Sequence, residues 1–122
     1  LMTTERYTFL VTDYREGSYG IRGMFAPTDN SYIPACIDEV LGEGNEVIFE
    51  MNLPAVFDLF KEKHPSVIII PHGHANHTTL ANLTRYNDGC ELSVPVCEVY
   101  KAHEEAKKDY LKQWLAKHFQ HS

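Results

Sequence analysis

The chain is poor in cysteine, has no long apolar run and shows no concentration of positive charge. Its three cysteines, Cys36, Cys90 and Cys97, are odd in number and follow no framework spacing. That argues against a disulfide-stapled secreted fold and for free thiols in a reducing compartment. No apolar run approaches the length needed to cross a bilayer. No basic, apolar, small-residue leader opens the chain, and Met2 behind Leu1 reads as the natural start. A cytoplasmic location is the expectation. Lys and Arg total 11 against 17 acids, a net charge of −6. This argues against a broad nucleic-acid or anionic-membrane surface. It leaves room for a small anionic ligand in a local pocket. Gly-rich phosphate loops and nucleophile elbows are also missing.

What is present is ordinary in amount and informative in arrangement. An apolar fraction of 43% and a charged fraction of 23% suit a globular protein. No repeat or linker divides the 122 residues, so residues 1–122 are expected to form one domain with a normal core. Tyr7 to Tyr14 reads as a first strand. Glu16-Gly17-Ser18 reads as a turn and Tyr19 to Phe25 as a second strand, giving an N-terminal β-hairpin. Residues 32–41 fit a helix capped by Ser31 and stopped by Gly42, or a strand before a turn at Gly42 to Asn45. Glu46 to Met51 is a short strand. Leu53 to Lys63 is a helix capped by Asn52, with Leu53, Val56, Phe57 and Phe60 as its apolar stripe and His64-Pro65 as its stop. Val67 to Ile70 is a buried strand. A helix from Asn76 to Tyr86 carries Leu80 and Leu83, and Asn87-Asp-Gly89 is expected to break it. Cys90 to Val99 reads as an edge strand because of Pro95. Residues 101–119 read as the longest helix, with an apolar face of Tyr110, Leu111, Trp114, Leu115, His118 and Phe119. The strand–helix–strand–helix order over 46–86 implies a parallel pair with a right-handed crossover. The fold class is an α/β sandwich with an N-terminal β-hairpin and a long C-terminal helix.

Val67-Ile-Ile-Ile-Pro-His72-Gly-His74-Ala-Asn-His77 is the richest stretch for chemistry. In extended chain His72 and His74 point the same way. His77 opens the next helix and can fold back toward them. Three nitrogens with one open position are the usual ligand set of a catalytic zinc. Two other readings stand beside zinc. One is a metal-free anion or acid–base site, with Asn76, Thr78 and Thr79 at a helix start that attracts phosphate or carboxylate. The other is a surface turn in which histidines gather. Arg15 and Arg22 are the nearest cations in sequence for an anionic substrate, or else ordinary surface charge. Asp13, Asp29 and Asp88 could add a carboxylate, although solvated turn acids are the simpler reading. Cys36 and Cys97 read as core thiols, and His103 as a helix-surface histidine. Tyr7, Tyr14 and Tyr19 read as core aromatics more readily than as a stacking platform.

Val67 to Leu83 resembles the first metal motif of the metallo-β-lactamase superfamily, especially the glyoxalase II-like hydrolases. There a buried strand is followed by His-x-His-x-Asp-His and a helix. Thr28-Asp-Asn-Ser-Tyr32 is similar to the Asp-Asn-Tyr loop near that family's start. The Leu53–Lys63 helix precedes the motif strand at a similar distance, and Val96 to Glu105 resembles the strand and helix start that follow. Only the His72–His77 motif is specific. The resemblance implies that His72 and His74 bind one metal while His77 faces a second. Asn76 stands where the family has the aspartate that holds that second metal, which implies at most one ion here. The family's second half, with its remaining ligands and second sheet, has no counterpart in the chain.

The expected function is a small enzyme, a hydrolase or lyase, acting on a small anionic metabolite. His72, His74 and His77 would be metal ligands or acid–base groups, and zinc the cofactor if there is one. A homo-oligomer is expected, because Tyr110, Trp114, Leu115 and Phe119 are more large apolar groups than so small a sheet easily covers. The rival class is a non-catalytic interaction protein, such as an immunity factor or a phage-type inhibitor.

Overall fold

The structure, a computed structural model, describes residues 6–12, 30–50, 53–71 and 77–119. The elements run β1 (Thr8–Val11), α1 (Tyr32–Leu41), β2 (Glu46–Phe49), α2 (Leu53–Lys63), β3 (Val67–Ile69), α3 (His77–Gly89), β4 (Val96–Cys97) and α4 (Lys107–His118). Two 3-10 turns, Val99–Lys101 and Glu104–Ala106, join β4 to α4. The strands form one sheet in the order β2-β1-β3-β4, and every neighbouring pair is parallel.

Apolar sequence explains this order. Phe9, Leu10 and Val11 are all buried, as are Val67, Ile68 and Ile69. A strand covered on both faces must be apolar at successive positions, and β1 and β3 take the two central places. β2, with Glu46 and Phe49 exposed, lies at one edge. β4, just after Pro95, lies at the other, as the proline predicts. Alternation sorts the side chains into two layers. Phe9, Val11, Val67 and Ile69 pack with Ile33, Ile37 and Leu41 of α1 and Leu111 and Leu115 of α4. Leu10, Ile68 and Ile70 pack with Val56 and Phe60 of α2 and Leu83 of α3. Helices therefore cover both faces, and the α/β class read from the sequence holds.

Several details differ from the sequence reading. β2 and β3 are parallel but not neighbours, because β1 lies between them. Residues 32–41 are helix, stopped as expected at Gly42, whose φ is 90°. α3 runs through Asn87 to Gly89, since the Asn87 side chain bonds Val94 instead of breaking the helix. β4 is two residues long, not ten. The final helix starts at Lys107, not 101, and its 12 residues are fewer than the 13 of α3. Residues 19–25, read as the second hairpin strand, lie outside the described residues. Over Thr8–Val11 the partners of β1 are β2 and β3.

Tyr110, Trp114 and Phe119, the basis of the homo-oligomer expectation, pack against the core of their own chain. The Phe119 ring lies 4.6 Å from Tyr7 and 5.9 Å from Phe9, centroid to centroid. Among the described residues Phe49, 46% exposed, is the one large apolar side chain left open. No described helix is long and apolar enough to cross a membrane.

Candidate functional site

The chain reverses its direction of travel across the sheet between β1 and β3. From β1 it passes through α1, on one face, to β2. From β3 it passes through α3, on the other face, to β4. Open parallel sheets hold their ligands at such a point, beyond the carboxyl ends of the two strands. Here those ends are locked together. The Thr12 N–H donates to the Ile69 carbonyl at 3.1 Å, and the Ile70 N–H donates to the Cys97 carbonyl at 2.9 Å. The Tyr100 N–H then donates to the Ile70 carbonyl at 3.3 Å.

The expected site residues belong to the two segments that follow these strand ends. Arg15 and Arg22 follow β1, and His72, His74 and Asn76 follow β3; these five lie outside the described residues. His77, Thr78 and Thr79 form the start of α3, and their side chains lie outside the description as well. Asp13, Asp29, Tyr14 and Tyr19 also lie outside it. Asp88 is exposed in the last turn of α3, far from the strand ends that matter. Tyr7 sits at the opposite end of β1, partly buried against the core. His103 is exposed, as expected. Among the described residues no group of three His, Cys, Asp or Glu side chains could hold a metal ion.

Three features of this sheet edge escaped the sequence reading. Lys107, only 8% exposed, donates through Nζ to the Pro71 carbonyl at 2.9 Å. It also pairs with Glu104 at 3.3 Å. The cue was electrostatic: a lysine in the first turn of a helix opposes the helix dipole, so something else must hold it there. At the end of β4 the Tyr100 hydroxyl donates to the Glu98 carboxylate, which also pairs with Lys101 at 3.1 Å. The Tyr100 bond, with help from Lys101, holds the Glu98 carboxyl below its usual range despite partial burial. Burial first, and then the Glu98 carboxylate, push Tyr100 up to about 12. The third feature is Thr12, which is buried with a hydroxyl that has no hydrogen-bond partner among the described residues.

The cysteines do not contribute to this site. All three are free thiols, with Cys36 and Cys97 buried in the core. Burial raises the pKa of both, that of Cys97 to about 12, which makes them poor nucleophiles.

No protein-family model, curated protein or solved structure matches the chain. The order of strand, histidine segment and helix agrees with the metal motif that the sequence resembles. Every strand–helix unit of a parallel sheet has that order, so it does not bear on the family.

Proposed function

We propose that the chain is a small enzyme, a hydrolase or lyase, that binds an anionic metabolite at the carboxyl ends of β1 and β3. The observation that carries this reading is positional. The histidine segment leaves β3 beside the end of β1, at the switch point of a doubly wound sheet. His72, His74 and His77 act as acid–base groups or as ligands of one zinc ion, and Asn76, Thr78, Thr79, Arg15 and Arg22 bind the anion. A zinc held there would supply hydroxide near neutral pH, because coordination lowers the pKa of water to about 7. A homo-oligomer remains part of the proposal, although Tyr110, Trp114 and Phe119, which suggested it, are already partly buried against the core of their own chain.

Thermal melting of untagged protein at neutral pH tests the metal. Zinc at about 100 times its Kd should stabilise the fold by about 2.7 kcal/mol, several degrees in Tm. His72→Ala should abolish the rise and Asn76→Asp should enlarge it. The rise should vanish below about pH 6, where imidazoles bind protons in place of metal. An unchanged Tm with zinc removes the metal and leaves the acid–base form of the site.

One observation favours the rival class, a non-catalytic interaction protein of the immunity or inhibitor type. Phe49 is exposed on the edge strand β2, level with Val11 and one strand over from the β1–β3 switch point. In that case Phe49→Lys would abolish partner capture while His72→Ala left it intact.

A further inference from the structure

Among the described residues no strand lies beside the outer edge of β2. The Glu46 N–H donates to the Tyr7 carbonyl, and the Glu50 N–H to the Val11 carbonyl. Backbone groups alternate sides along a strand, so Val47 and Phe49 turn theirs away from β1. Two N–H groups and two carbonyls therefore line the edge, with no partner among the described residues. A row of this kind is a template for a further strand. Phe49, the one large apolar side chain left open among the described residues, stands on the same edge.

Side chains alternate as well. Val47 packs with the α1–α4 layer and Ile48 with the α2–α3 layer. Glu46, Ile48 and Glu50 thus share one face of β2, and Val47 and Phe49 share the other. Charge on an edge strand discourages pairing, but it does so selectively. Two copies of this chain, paired antiparallel with Val47 of each opposite Phe49 of the other, would set Glu46 of one against Glu50 of the other. Like charges directly opposed are destabilising. A strand with cations at those places meets no such repulsion.

The surroundings have the same sign. Residues 38–63 hold seven acids and two lysines, and so carry −5 of the net charge of −6. Asp38, Glu43, Asp58 and Glu62 are exposed. Glu46 pairs with Lys63 at 3.6 Å and Glu39 with Lys112 at 3.0 Å. Ion pairs this open to solvent are weak and leave the acidic excess in place.

We propose that the outer edge of β2 pairs with an extended basic segment of another protein, which adds a strand to the sheet. The two faces of β2 set the pattern of that segment: cations opposite Glu46 and Glu50, and apolar residues opposite Val47, Ile48 and Phe49. The pattern reads the same in both directions, so it suits parallel and antiparallel pairing alike. Backbone bonds supply the affinity and the opposed side chains the selectivity. This surface is separate from the histidine site and stands whether or not that site is catalytic.

The test uses the full chain and a synthetic peptide, acetyl-Gly-Lys-Val-Val-Val-Lys-Gly-amide. One control peptide has glutamate in place of lysine, and another has the valine nitrogens methylated. NMR titration gives the affinity, and amide hydrogen exchange gives the place of binding. The basic peptide should bind and slow exchange at Val47 and Phe49. Binding should weaken roughly tenfold in Phe49→Lys and several-fold from about 50 to about 500 mM salt. Neither control peptide should bind. A wild type that does not bind the basic peptide overturns the proposal. So does equal binding of the methylated peptide, which would reduce the contact to charge attraction, or of the acidic one. Slowed exchange that leaves Val47 and Phe49 untouched overturns it too, because the peptide is then elsewhere. Protection of these two amides that grows with protein concentration alone would give the edge to a second copy and overturn it. None of these results bears on the histidine site.

Discussion

Cys97 couples its burial to pH. Its thiol ordinarily ionises near 9.0 but is pushed up to about 12, first by burial and then by the charge of Glu98. The folded chain therefore keeps this proton to higher pH than the unfolded chain does. The resulting stabilisation is whole below pH 9 and is lost as pH climbs toward 12. Tyr100 adds a loss of the same sign between 10.0 and about 12. Glu98 has the opposite sign: its carboxyl lies below the ordinary 4.5, so its contribution is present above that pH and fades in acid. Urea unfolding should show the wild type's advantage over Cys97→Ala narrowing from pH 9 to 12. An advantage that stays constant over that range would mean that the Cys97 thiol is not held neutral by the fold. The same burial orders the thiols by access. Cys90 is half-buried, whereas Cys36 and Cys97 are buried, so a thiol reagent should modify Cys90 first and the other two only on unfolding.

The elements that matched the sequence are those whose signals are local. α2 runs from Leu53 to Lys63 as read, because its apolar stripe and the following His64-Pro65 lie within a dozen residues. The ends of α3 and α4 were misread because distant partners decide them. Asn87 usually marks a stop, but here its amide donates to the Val94 carbonyl at 2.6 Å and accepts from the Val94 N–H at 2.9 Å. Asn87→Ala would orphan two buried backbone groups and should cost about 2–5 kcal/mol in denaturant unfolding. Before Lys107 the chain spends its residues on two 3-10 turns that carry it from β4 to the start of α4. β3 offers a control for the site. Ile69 is fully buried, and Ile69→Ala should cost about 2–5 kcal/mol. His74→Ala should cost far less in the absence of ligand; an equal cost would make His74 a core residue and remove the centre of the proposed site.

The whole molecule is two apolar layers that share one sheet. Trp114 reports the layer under α1 and α4, and Cys90 the layer under α2 and α3. If residues 1–122 form one cooperative domain, Trp114 fluorescence and Cys90 reactivity should change at the same urea concentration. Separate midpoints would divide the chain into two units. The histidine segment was legible from sequence because a buried strand and its imidazoles are contiguous. Thr12, Glu98, Tyr100 and Lys107 were not, because only the order β2-β1-β3-β4 gathers them at one edge. That order also has a consequence in time. β1 is the first of the four strands to be synthesised, yet it requires a partner on each side. β2 follows within a few dozen residues, but β3 arrives last of the three and must slot in on the far side of β1. At roughly 5–20 residues per second, the ribosome needs roughly 3–12 s to go from Val11 to Ile69. During that interval Phe9, Leu10 and Val11 present an open apolar edge to the cell, and a chaperone that captures nascent chains would find its target there.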